Sequence, residues 1–252
     1  MGDGVPPVGE VLRGRGPVLV YRSRIGEGTP VVVKRVVEVQ DTEALRRFER
    51  ERRFTHLLPH PALPRLLGEG ENWIAFEALE DALPEPPVVP SVVAALLARL
   101  ADALAYIHAR GVVHRDVKPA HVLFRGETPV LIDFGIAGTP GDDLQREELS
   151  GTPAWMAPEQ LTGGAVGPEA DLWSLAALGL FLLTGQKPYS GDAEAVVCRR
   201  IAGEQPAFAV PDALEHDEPD LLRLLRTGLG EAAKRPSVAD FVRLLAVRRL
   251  PG

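Results

Sequence analysis

Cysteine is almost missing from this chain: Cys198 is the only one in 252 residues. No internal disulfide can form, so a reducing compartment fits, and a lone thiol of this kind is expected as a small buried apolar side chain. The amino terminus carries no basic-then-apolar stretch of the signal-peptide kind. The longest apolar run, residues 175–183, falls short of the roughly 18 residues that a membrane span requires. Positive charge is also in deficit. Lys and Arg total 28 against 35 Asp and Glu, a net charge of −7, which disfavours nucleic acid or an anionic membrane as partner. Lysine is rarer still, with four residues against 24 arginines, so the position of each one carries information. Together these absences describe a cytoplasmic protein, or a domain cut from something larger.

What remains is ordinary for a packed globular chain, with 45% apolar and 25% charged residues. The length suits one large domain or two closely joined lobes. Residues 18–21 and 31–37 are β-branched runs, joined through a turn at Gly26 and Gly28. A charged helix is predicted over 42–58, capped by Asp41 or Thr42, with another short strand at 73–78. Pro84, Pro86, Pro87 and Pro90 then exclude regular helix and mark the boundary between lobes. Beyond them helical periodicity dominates. Ser91 is expected to cap a helix that runs to Ala109, and a hairpin should close around Gly126. Residues 171–183 form a central helix buried on every side, and 221–229 and 238–247 are amphipathic helices. Strands first and helices second imply an α+β fold with two segregated layers.

Chemistry concentrates in one segment, His114-Arg115-Asp116-Val117-Lys118-Pro119, followed downstream by Asp133-Phe134-Gly135. Phosphoryl transfer needs a group that orients a hydroxyl nucleophile, a cation near the moving phosphate, and a carboxylate that holds a divalent ion. Asp116, Lys118 and Asp133 supply these in that order. Any one of them alone would read as a turn former or cap.

As a set these motifs closely resemble the eukaryotic-like protein kinase family in its bacterial Ser/Thr form. Val31-Val32-Val33-Lys34 resembles the third-strand lysine motif, and Glu51 stands where its ion-pair partner belongs. The stretch from Gly151-Thr152-Pro153 to Ala157-Pro158-Glu159 resembles the end of an activation segment. Asp171 opens the central helix, and Arg235 matches the arginine that pairs with Glu159. The resemblance covers residues 8–247 and implies a bilobal kinase-like fold: an N-lobe over about 8–80, a Pro-rich hinge region over about 77–90 and a C-lobe over about 91–250.

The same resemblance implies a role for each position. Asp116 orients and deprotonates the substrate hydroxyl, Lys118 neutralises the transferring phosphate, and Thr152 bridges toward Asp116. Lys34 contacts the phosphates while paired with Glu51, and Gly14 and Gly16 belong to the loop over them. The backbones of Glu77 and Leu79 hold adenine, with Phe76 as gatekeeper, and Asp133 binds Mg²⁺. His114, Arg115, Phe134 and Gly135 complete the structural and regulatory set, with Thr139 and Ser150 as acceptors for phosphorylation. The implied reaction is ATP- and Mg²⁺-dependent (or Mn²⁺-dependent) transfer to Ser or Thr of a protein substrate, with any regulatory input from a partner protein.

Several positions depart from the family pattern. His121 replaces the asparagine that ligates the second metal, and imidazole suits Zn²⁺ or Mn²⁺ better than Mg²⁺. The glycine-rich loop is one residue short and lacks its third glycine, which predicts weaker nucleotide affinity. The hinge is short enough that the helix flanking the pocket mouth becomes a Pro-rich loop. Thr55 stands where the family places a large apolar residue, making the Lys34–Glu51 pair conditional. Asp142, Asp143, Glu147 and Glu148 could pair with Arg115 in place of a phosphate. Two alternatives to the active protein kinase follow. His121 and the irregular loop favour a nucleotide-binding or scaffolding pseudokinase, and the shared carboxylates a small-molecule phosphotransferase.

Overall fold

The computed structural model describes residues 4–14, 16–81, 83–141, 153–163, 165–201 and 203–247. Five antiparallel strands form the first layer: β1 (Val11–Arg13), β2 (Val18–Ile25), β3 (Thr29–Val36), β4 (Leu66–Glu69) and β5 (Trp73–Glu77), in the order β1-β2-β3-β5-β4. Strand periodicity decides where Lys34 goes. Val31 and Val33 point to one face and pack with Tyr21, Trp73 and Ala75. Lys34 and Val36, one residue out of step, share the opposite face. There Val36 and Ile74 pack against helix α1 (Thr42–Leu57) through Ala44 and Phe48.

Helix α1 begins as its cap chemistry dictates, the Asp41 carboxylate accepting from the Ala44 N–H at 2.8 Å. Its buried positions are Ala44, Phe48, Glu51 and Phe54, spaced by four and three residues and so aligned on one face. Glu51 is the only charged member of that stripe. A carboxylate among apolar positions needs a cation, and Lys34 faces it from the sheet.

The second layer is helical. Helix α2 (Pro90–His108) buries Val93, Leu96, Leu97, Leu100, Leu104 and Ile107. It is long and apolar enough in composition to cross a membrane, but here that apolar surface packs on helices α4 (Pro168–Thr184) and α8 (Val238–Val247) and on strand β7 (Thr128–Leu131). Helix α4 is buried on nearly all sides, as expected. Its Gly179 sits where an added Cβ would come within 2.8 Å of Leu97 on α2 and of Leu225 on α7 (Pro219–Gly228). Strand β6 (Val122–Arg125) pairs with β7 in the expected hairpin. Two short helices, α3 (Pro158–Leu161) and α6 (Asp212–Asp217), and helix α5 (Ala193–Ile201) complete the layer.

Two sequence expectations need correction. Ser91 does not cap α2. The helix starts at Pro90, whose missing N–H is harmless in a first turn. Cys198 lies exposed on α5, not buried, because the buried side of that helix is taken by Val196 and Arg200. The Lys34–Glu51 pair is formed, and the Thr55 hydroxyl donates to the Glu51 carbonyl at 2.8 Å, one turn back along α1. From Asp81 to Val89 the described chain contains no helix, as the short hinge predicts.

Candidate active site

A cavity of about 510 Å³ separates the layers. Val20, Val32 and Lys34 form its roof, Phe76, Glu77 and Leu79 its back, and Lys118, His121, Leu123, Ile132 and Asp133 its floor. Its size suits a nucleotide, with apolar walls and a few polar groups gathered at one end. Eight residues singled out from sequence line it: Lys34, Glu51, Phe76, Glu77, Leu79, Lys118, His121 and Asp133. Gly14 and Gly16 lie in the β1–β2 turn and are not among the lining residues. Gly16 takes a left-handed φ of 81°, open to glycine, and the Pro17 carbonyl accepts from the Val37 N–H at 2.8 Å, tying the turn to the end of β3.

The floor is held from below by Asp171, at the start of α4. Its fully buried carboxylate accepts from the backbone N–H of His114 at 2.8 Å and of Arg115 at 2.7 Å, and it meets His108 Nε2 at 2.8 Å. Arg115 needs that anchor because its φ of 70° is left-handed for a residue with a side chain. Its guanidinium donates to the Thr139 carbonyl at 3.0 Å. The His114 ring packs edge-on against Phe134, centroids 4.8 Å apart. Its Nδ1 accepts from the Asp116 N–H at 3.2 Å. Asp116 is thereby fixed at the mouth of the floor, and both its oxygens accept from Lys118 Nζ, at 2.9 and 2.8 Å.

Across the cleft Lys34 makes a short ion pair with Glu51 and lies 3.6 Å from Asp133 Oδ1. Burial pulls the Lys34 ammonium down, but Asp133 and Glu51 outweigh it and hold it above its ordinary value. Burial also opposes ionisation of Asp133, yet Lys34 and His121 hold that carboxyl well below the usual range. Asp133 adopts a left-handed φ of 69° in which Oδ1 accepts from the Gly135 N–H at 3.2 Å, a turn that aspartate tolerates. Glu51 is the exception: burial pushes it up, to about 7, against the pull of Lys34. Its proton is therefore held more tightly in the folded chain than in the unfolded one. Lowering the pH from 8 to 5.5 should weaken the ion pair while shifting the melting-temperature difference, wild type minus Glu51→Gln, in favour of wild type. No shift, or one in the opposite direction, would mean that Glu51 stays ionised throughout.

A divalent ion fits the donor set. Asp133 Oδ2 and His121 Nε2 face each other at 3.5 Å. His121 is buried, its pKa lowered by that burial against the opposing pull of Asp116 and Asp133. Among the described residues no three carboxylate, thiol or imidazole groups converge, so the protein supplies only part of a coordination shell.

Sequence reasoning missed Arg125, at the end of β6. Its Nε donates to Glu77 Oε2 at 2.7 Å, a second nitrogen pairs with Glu77 Oε1, and the Pro61 and Leu63 carbonyls accept from the same guanidinium. Beside it Glu80 and Phe124 exchange backbone hydrogen bonds at 2.9 and 2.8 Å. Burial disfavours the Glu77 carboxylate, but Arg125 and the Arg65 N–H hold it below its ordinary pKa. Arg125→Ala is expected to destabilise the fold by about 1.5–3 kcal/mol. In a chain of this length that corresponds to a melting temperature lower by roughly 3–12 °C. Unchanged melting would assign the network no structural role.

Remote from the cavity, Arg235 forks onto Glu159 and donates to the Glu169 carbonyl at 3.0 Å, locking α3 against α4. Thr139 is exposed at the start of the activation segment. Asp142, Asp143, Glu147, Glu148, Ser150 and Thr152 lie outside the described residues.

A sheet roof and a helical floor, with a lysine–glutamate pair above and two aspartates below, define the protein-kinase-like class. The protein kinase domain model matches residues 14–243. The chain belongs to the protein kinase family. It is 34% identical over 218 residues to the serine/threonine-protein kinase pkn2 of Myxococcus xanthus, covering 77% of this chain and 26% of the relative. It is 37% identical over 209 residues to the serine/threonine-protein kinase PkaA of Streptomyces coelicolor, covering 75% and 38%. With PknB of Mycobacterium tuberculosis it shares 29% identity over 232 residues, covering 83% and 37%. The matched region thus spans between a quarter and two-fifths of the length of these relatives.

Proposed function

We propose that this chain is the catalytic domain of an ATP-dependent Ser/Thr protein kinase, built as an N-lobe, a Pro-rich hinge and a C-lobe. The observation that carries this reading is the convergence of Lys34, Lys118, His121 and Asp133 on one cavity, with Asp116 at its mouth. Adenine lies against the Glu77–Leu79 backbone with Phe76 behind it, and Lys34 aligns the phosphates while Glu51 holds its ammonium in place. The substrate hydroxyl approaches Asp116, which accepts its proton as the new oxygen–phosphorus bond forms and the bond to the β-phosphate oxygen breaks. Lys118 then turns from Asp116 to the transferring phosphoryl oxygens and offsets their charge. Asp133 and His121 would hold a divalent ion, Mg²⁺ or Mn²⁺, which would neutralise phosphate charge. Thr152 assists Asp116, and regulation acts through phosphorylation of Thr139 or Ser150 or through a partner protein. The single thiol suits a reducing, cytoplasmic setting.

Incubation with γ-labelled ATP, a divalent metal and a serine- and threonine-containing protein acceptor tests the reading. Label recovered as phosphoserine or phosphothreonine is the expected result. Saturable nucleotide binding with no transfer to any protein under Mg²⁺ or Mn²⁺ would replace it with a nucleotide-sensing module. Transfer confined to small alcohols or amines would replace it with a small-molecule phosphotransferase.

A further inference from the structure

His121 is anchored through its backbone and through one ring nitrogen. Its backbone N–H donates to the Lys118 carbonyl at 2.9 Å, and its own carbonyl accepts from the Ile132 N–H at 2.9 Å. The backbone of His121 is thus pinned between the segment that carries Asp116 and the strand that leads to Asp133. Its Nδ1 lies 3.0 Å from the Asp116 backbone carbonyl. A carbonyl oxygen only accepts, so Nδ1 carries the hydrogen, and in the neutral ring Nε2 keeps its lone pair. That lone pair faces Asp133 Oδ2 at 3.5 Å. The other oxygen of Asp133 is already engaged by the Gly135 N–H and by Lys34. Two acceptors pointed at one another across this gap are brought together either by a proton on Nε2 or by a cation held between them.

The gap has the right width for an ion. Two ligand atoms each about 2.1 Å from a common cation stand about 3.0–3.5 Å apart at coordination angles near 90–110°. The identity of the donors then decides which ion. Mg²⁺ binds oxygen and parts reluctantly with water, whereas imidazole nitrogen favours first-row transition-metal dications. We propose that His121 Nε2 is a direct metal ligand, and that with Asp133 Oδ2 it makes this site prefer a transition-metal dication, such as Mn²⁺, over Mg²⁺. With only these two protein ligands, the nucleotide phosphates and water complete the shell, so the ion binds tightly only together with nucleotide. The inference rests on the nucleotide-binding reading of the cavity and concerns which metal that cavity selects.

The test uses the full chain with Mn²⁺ and a non-hydrolysable ATP analogue, examined by pulsed electron paramagnetic resonance. A directly bonded ¹⁴N coupling is expected on the manganese, and wild-type protein grown with ¹⁵N-histidine should convert it to a ¹⁵N coupling with no mutation needed. In His121→Asn the amide binds through oxygen, so the direct nitrogen coupling should vanish. By calorimetry the wild type should bind the analogue at least about tenfold more tightly with Mn²⁺ than with Mg²⁺, and His121→Asn should cut that preference to within about threefold. Manganese and analogue bound together without nitrogen coupling, or a metal preference unchanged in His121→Asn, would overturn the inference and leave the nucleotide site standing. No binding of the analogue with either metal would overturn both.

Discussion

Asp116→Asn is expected to lower phosphoryl transfer by about 10²–10⁴-fold, the range over which a positioned general base contributes. The substitution keeps the shape of the side chain and an oxygen acceptor for Lys118, whose two bonds at 2.9 and 2.8 Å show how closely the pair is coupled. What it removes, under the proposed mechanism, is the capacity to take the hydroxyl proton in the transition state. Asp116 is not among the residues that line the cavity, so nucleotide affinity should stay within about twofold and the loss should fall on kcat. Any rise in phosphate affinity from the weakened hold on Lys118 is separated from the kinetic effect by titration with ADP. Retention of more than a tenth of wild-type turnover would remove Asp116 from the role of base.

Asp171→Ala should have the largest effect on stability, about 3–5 kcal/mol, the magnitude for a buried charge network stripped of one partner. For a chain of this size that is a fall of roughly 6–20 °C in melting temperature. Three donors lose their acceptor at once: His108 Nε2 and the backbone N–H groups of His114 and Arg115. The left-handed backbone at Arg115, strained by about 1–2 kcal/mol, is then unopposed. Burial disfavours the Asp171 carboxylate, but the bonds from His108 and His114 hold its pKa below the ordinary value. Its contribution is therefore fully present above the unfolded value near 3.8 and is lost as pH falls through the lower folded one. The difference between wild type and Asp171→Asn should close in acid. A gap that widens below pH 4 would show that some other group, not Asp171, controls the acid limb.

Much of the fold was readable because its periodicities are strong. The valines around Lys34 alternate as a strand must, and the leucines of α2 recur at helical spacing. Strands β1 and β4 were not foreseen, since three fully exposed residues, or four that are half-buried or exposed, carry little periodic signal. Helices α5 and α6 are short and mostly exposed, and the α5 arginines conceal its buried side. At the site, residues whose roles depend on charge type and spacing could be placed in advance. Arg125 could not, because two of its acceptors are backbone carbonyls about sixty positions away, at Pro61 and Leu63. Thr55 shows the limit of judging a position by side-chain volume. Its hydroxyl finds a partner within its own helix, so polarity there does not break the neighbouring ion pair.

The Arg125 network also bears on how nucleotide enters and leaves. Glu77 and Glu80, on the connection between the layers, are fastened to β6, and β7 runs from that hairpin directly into Ile132 and Asp133. The surfaces that meet the base and the phosphates from behind and below are therefore parts of one stiff bracket. If nucleotide binds here as proposed, access is expected on the side of the sheet, much as a lid lifts from a box whose back and base are cast together. A departing nucleotide is then expected to shed contacts with Val20, Val32 and Lys34 before those with Leu123 and Asp133.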